Sequence, residues 1–111
     1  MKVSYEDHDL VTVLTMSGDF LADQQDMFRR TCDERIHAGI RDFVLNLEHL
    51  AHIDSIGLEM LLWLQKEVTG NSGRLRIAMA DDLLHEVLML TRLTSKFDLF
   101  ETVEAAAKSL R

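Results

Sequence analysis

Three groups of side chains in this sequence could do chemistry. Asp54-Ser55 sets a carboxylate beside a hydroxyl at the point where an apolar helical pattern begins. A hydroxyl there can accept a phosphoryl group, but as a nucleophile it would need an activating base, which the Asp-Ser pair does not supply. His49-x-x-His52-x-Asp54 could present two imidazoles and a carboxylate, a set that suits zinc or another transition metal. Further ligands at firm spacing are absent, and His8, His37 and His85 stand outside any motif. Cys32 is the lone thiol. It lies on an apolar helical stripe and has no evident histidine partner, so the expectation is a buried, inert core residue. There is no Gly-x-Ser-x-Gly, no P-loop and no dinucleotide-binding glycine pattern. The residues therefore predict no enzyme, no cofactor and no metal.

The elements that must hold Asp54-Ser55 are legible on either side. Phe43-Val44-Leu45-Asn46-Leu47 is a short, almost continuously apolar run of the kind that fills a buried strand. Residues 49–53 read as a loop, and Asp54-Ser55-Ile56-Gly57-Leu58 as a helix start. Asp and Ser can both accept hydrogen bonds from the free N–H groups of a first helical turn, and the positive end of the helix sits at the same place.

The rest of the chain falls around this stretch. Residues 2–16 alternate in the manner of two strands, Val3 and Tyr5, then Val11, Val13 and Leu14. Asp7-His8-Asp9 would turn a hairpin between them, and Ser17-Gly18-Asp19 would end the second strand. Leu21, Phe28, Cys32 and Ile36 recur at helical spacing up to Ala38, with Asp19 or Asp23 as cap and Gly39 as stop. A strand over 41–47 and a helix over 55–69 end at Gly70-Asn71-Ser72-Gly73. A strand over 74–80 follows, with Leu75, Ile77 and Met79 pointing one way. Then come a helix from Leu83 to Arg92 capped by Asp81-Asp82, a short strand at 97–100 and a helix over 103–110. The order β-β-α-β-α-β-α-β-α predicts a single α/β domain over residues 1–111: a mostly parallel sheet of about five strands with about four helices.

Composition narrows the partners. Twelve Lys and Arg against nineteen Asp and Glu leave a net charge of −7, with no basic run. That argues against nucleic acid and anionic lipid, both of which draw on clustered cations. No apolar run approaches the roughly 20 residues of a membrane span. MKVSYEDHDL is polar and alternating, unlike a signal peptide, and one cysteine forms no internal disulfide. The expected compartment is the cytoplasm, and protein or small-ligand partners remain.

His52-Ile53-Asp54-Ser55-Ile56-Gly57-Leu58-Glu59-Met60-Leu61-Leu62-Trp63-Leu64 resembles the signature of STAS domains, the fold of anti-sigma factor antagonists, which reads Asp-Ser-Ser/Thr-Gly-Leu before an apolar helix. The runs 88–93 and 97–106 resemble the end of the same domain. The resemblance implies the α/β fold above and a regulator that works by binding a kinase-type anti-sigma factor. It also implies that the second hydroxyl of the motif is the phospho-acceptor, a position held here by Ile56. A protein without that acceptor would stay in its binding-competent form. Ser55 remains as a substitute acceptor, or as a capping hydroxyl only. The family's acidic residue after strand two is replaced by Leu21, within Gly18-Asp19-Phe20-Leu21. A non-catalytic STAS subunit of a larger complex, such as a lipid-transport ATPase accessory or a stress-signalling scaffold, is the alternative, and a metal-dependent enzyme at His49, His52 and Asp54 is a second rival.

At about 100° per residue, Leu58, Leu61, Leu62, Leu64 and Val68 take the side of the helix expected to face the sheet. Ile56, Met60, Trp63 and Glu67 form a second stripe where a solvent face should be polar. Aromatic and Met side chains are enriched where proteins bind proteins. Asp54, Ser55, Ile56, Gly57, Met60 and Trp63 are therefore the candidate partner-binding residues. The competing reading has the stripe covered by the third helix or buried in a homodimer.

Overall fold

The computed structural model describes residues 1–78 and 81–111, the side chain of Leu83 excepted. β1 (Lys2–His8) and β2 (Val11–Phe20) form the antiparallel hairpin. Its turn is Asp9-Leu10, two residues beyond Asp7, because Asp9 accepts the left-handed conformation (φ 56°) that closes so short a loop. β2 does not stop at Ser17. Gly18, at φ 90°, carries it through two register irregularities to Phe20.

A 3-10 turn (Ala22–Gln24) leads into α1 (Gln25–His37), whose Phe28 and Cys32 are fully buried. Neither Asp19 nor Asp23 caps it, since the residue before the first turn is Gln24 and makes no side-chain bond there. Its end is as expected. Gly39 takes φ 97°, its N–H reaches Ile36 O at 3.0 Å, and the N–H of Ile40 reaches Arg35 O at 3.1 Å. This pair of bonds satisfies the last carbonyls and turns Ile40 into the core.

β3 (Asp42–Ile53) runs well past the apolar run and includes the residues expected as a loop. Ser17, Gly18, Asp19 and Phe20 of β2 pair with His49, Leu50, His52 and Ile53. Of these four β3 residues two are exposed and two half-buried, so their side chains carry little of the apolar patterning that marks a strand. Backbone pairing alone makes the ribbon.

α2 (Ser55–Gly70), β4 (Leu75–Ala78), α3 (Asp82–Leu90), β5 (Asp98–Phe100) and α4 (Val103–Lys108) complete the domain. Asp81 caps α3 by accepting from Leu84 N at 2.9 Å, and Thr102 caps α4 by accepting from Ala105 N at 3.0 Å. The expected continuation of the fourth strand through Met79 and Ala80 lies outside the described residues.

The sheet order is β1-β2-β3-β4-β5, antiparallel at the first pair and parallel thereafter. Successive crossovers in one direction leave α1, α2 and α3 on one face, where Phe28, Leu61, Leu64, Leu84 and Leu88 share a cluster with Leu14, Leu45 and Ile77. On the other face α4 covers a smaller patch, Val44, Ala78, Ala106 and Leu110. Each fully buried Leu or Phe stabilises the fold by about 1.5–3 kcal/mol.

Candidate functional site

The start of α2 is held by one carboxylate. Asp54 Oδ1 accepts from Gly57 N at 2.8 Å, which caps the helix, and Oδ2 accepts from Ala22 N at 2.9 Å, which ties in the connection between β2 and α1. The backbone joins the same knot, with Asp54 N donating to Phe20 O at 3.2 Å. The bond from Gly57 N holds the Asp54 carboxyl below its ordinary value, against an opposing push from desolvation and with further help from Ala22 N. The carboxylate is thus committed to structure.

Gly57 has an equally local reason. A Cβ there would stand 2.4 Å from Phe20 O and 2.8 Å from Ile53 Cγ1. Only a residue without a side chain lets α2 approach the end of β2 this closely. The residue is buried, so it sets position and offers no surface to a partner.

Between these two fixed points lie Ser55, exposed, and Ile56, half-buried. Ser55 is the first helical residue. The cap is Asp54, so the capping role considered for the Ser55 hydroxyl falls to the carboxylate before it. Beside the turn, Leu21 is 36% exposed.

The apolar stripe expected on the far side of α2 is divided. Met60 is 4% exposed and belongs to the main core, which removes it from the candidate partner surface. The helical wheel assumed a single covered side. In the fold α1 lies against α2 as well as the sheet, and the buried arc is wider. Trp63 packs at the edge of the same core, half-buried, with the Arg29 guanidinium of α1 4.9 Å from its ring centroid. The helix that meets it there is α1, where the covering reading had named the third helix.

The histidines of the candidate metal triad go separate ways. His52 Nδ1 is 2.8 Å from Asp19 Oδ1 across the ribbon, His49 Nε2 is 3.6 Å from Glu48, and Asp54 is occupied as described. Among the described residues, no three His, Cys, Asp or Glu side chains gather as a metal site. Cys32 is fully buried, and burial raises its thiol pKa far above the ordinary value, with a smaller push from Asp33. The fold thus places it as a core residue.

Sequence reasoning missed the tether to Ala22 and the ribbon that carries the turn. The one signal for the ribbon was Gly18, a strand glycine that permits an irregular pairing. Next to the ribbon, Leu50, Ile53, Leu84 and Val87 line an apolar hollow of about 190 Å³, rimmed by His52 and Asp81. No helix among the described residues is long and apolar enough to cross a membrane.

A family model described as the STAS domain matches residues 2–106. No curated protein matches the sequence. Among solved structures, the chain is similar to a candidate anti-sigma factor antagonist from Thermotoga maritima, at 20% identity over 98% of this chain and 94% of that one, with a TM-score of 0.91. An anti-sigma factor antagonist from Mycobacterium paratuberculosis is similar at 21% identity, over 99% and 93%, with a TM-score of 0.87. The Bacillus cell fate determinant SpoIIAA, in its phosphorylated form, is similar at 18% identity, over 99% and 100%, with a TM-score of 0.79. At these identities the likeness is one of fold.

Proposed function

The chain belongs to the STAS domain family, and on that premise we propose that it is a non-catalytic, partner-switching regulator of the anti-sigma factor antagonist type. The reading rests on the turn at the start of α2, where Ser55 is exposed and Ile56 half-buried while Asp54 and Gly57 fix the backbone around them. Ser55 and Ile56 would meet a kinase-type anti-sigma factor, with Leu21 and the edge of Trp63 flanking them. By occupying that protein, the chain would free a sigma factor.

The usual release would be phosphorylation at the position of Ile56. A phosphoryl group adds about −1.5 to −2 charges, which a docked partner must desolvate or pair. A helix start tolerates such a charge, so the penalty would fall on the complex and spare the fold. Ile56 carries no oxygen to modify. The chain would therefore bind without being released at this residue.

Wild type and the Ile56→Ser variant, each incubated with a kinase-type anti-sigma factor and ATP, provide the test. Intact-mass measurement and calorimetry should find the wild type bound and unmodified. The variant should gain one phosphoryl group and lose binding by about a hundredfold. A phosphoryl group on Ser55 of the wild type, with binding lost, would overturn the permanently bound reading. A pull-down that recovers a transport ATPase or a large scaffold in place of a kinase-like protein would favour the alternative, a subunit of a larger assembly.

A further inference from the structure

β1 is an edge strand of seven residues that, among the described residues, pairs only with β2. In an antiparallel pair every second residue turns its N–H and C=O away from its neighbour, so the outer side of β1 presents a row of backbone groups ready to pair. Two of the usual protections, a proline and a bulge, are missing, and charged side chains are what the strand carries instead. There is no proline in the chain, the β1–β2 register runs unbroken from Lys2 to His8, and residues 4–8 are all exposed. The strand is also held in place. Arg35 of α1, only 14% exposed, binds Asp7 Oδ2 at 2.6 Å and stacks over Tyr5, 3.9 Å from its ring centroid.

We propose that this edge pairs with the same edge of a second copy of the chain, antiparallel and with the two-fold axis at Ser4. The charges along the strand select that register. Val3, Tyr5 and Asp7 lie on the α1 face, Val3 against the main core and the other two under Arg35. Lys2, Ser4, Glu6 and His8 alternate onto the opposite face. An axis at Ser4 sets Lys2 opposite Glu6 of the second copy, twice by symmetry, and Val3 opposite Tyr5 on the other face. An axis at Tyr5 would leave Asp7 opposite Val3 and put Glu6 opposite Ser4, with no ion pair. An axis at Glu6 would set two carboxylates against each other, and one at Val3 would pair Lys2 with Ser4. Opposite charges directly across a strand pair favour association and like charges oppose it.

The product is a continuous sheet through both copies, closed by symmetry so that no further copy can add at that edge. The proposed docking turn follows β3, two strands away from β1 in the sheet. Both turns would stay open, and the dimer would be bivalent.

Sedimentation at about 10–200 μM protein, a range suited to weak association, reads the prediction directly. The wild type should show a monomer–dimer equilibrium. Lys2→Glu should weaken it by about tenfold or more, and the exchange Lys2→Glu with Glu6→Lys should restore it. Ser4→Cys should form a disulfide-linked dimer under mild oxidation, because residues on the axis have Cα atoms within the reach of a disulfide. Glu6→Cys, which faces Lys2 in this register, should not. A wild type that stays monomeric throughout, with Ser4→Cys linking no faster than Glu6→Cys, would overturn the proposal. So would a dimer indifferent to both charge variants.

Discussion

Replacing Gly57 with alanine probes the packing that fixes the candidate turn. The added methyl group would lie 2.4 Å from Phe20 O, 2.8 Å from Ile53 Cγ1 and 3.2 Å from Phe20 Cγ. Ordinary contact needs about 3.4 Å or more, so the first obstacle must retreat by about an ångström. That obstacle is a backbone carbonyl already engaged by Asp54 N, and it cannot swing aside as a flexible side chain would. Overpacking of this kind costs about 1–3 kcal/mol, and the upper part of that range applies here. Alanine returns up to about 1 kcal/mol through its helix propensity. The net expectation is a loss of about 1–2 kcal/mol, or about 4–8 °C in melting temperature for a domain of this size. Gly70 supplies the control within the same helix. An added Cβ there meets nothing within 4 Å, so Gly70→Ala should raise the melting temperature by a few degrees. Thermal unfolding followed by circular dichroism, with urea midpoints at unchanged slope as a check, reads both variants. Equal shifts of the same sign would refute the close approach of α2 to β2.

Two further outcomes follow from charge and burial. The Asp54 carboxyl is lowered from 3.8 in the fold, so its contribution is fully present above that value and is lost as pH falls through the folded pKa. The stability gap between wild type and Asp54→Asn should therefore be constant near neutrality and shrink as pH falls below about 4, as urea unfolding at stepped pH would record; a gap that grows on acidification contradicts the assignment. The Cys32 thiol, buried and with its pKa raised, should react with a thiol reagent only as fast as the chain opens. Rapid stoichiometric labelling of the native protein, timed against unfolding in denaturant, would show the burial to be wrong.

Much of this architecture was readable from local chemistry. Phe43 to Leu47 had to be a buried strand, Asp81 had to begin a helix, and Gly39 had to end one, because each signal acts within a few residues. What escaped depends on distant neighbours. Residues 49–53 look like a loop because their strand partner is Ser17–Phe20, some thirty positions earlier, and none of them is fully buried. Met60 looked solvent-facing because a helical wheel records angle and knows nothing of α1. Asp54 was read as a cap, which it is, but its second oxygen reaches Ala22, and no spacing rule predicts a bond across that gap. Ser55 and Ile56 were located correctly on the helix. Their use by a partner remains the proposal above.

The turn at Asp54 grows from the two longest strands, of ten and twelve residues, and is knotted to both before the helix begins. If a partner docks on this turn as proposed, the turn has little freedom left to surrender, and the entropy of complex formation falls mainly on the visiting molecule. Its dissociation rate should then respond more to changes in that visitor than to loosening substitutions elsewhere in this chain.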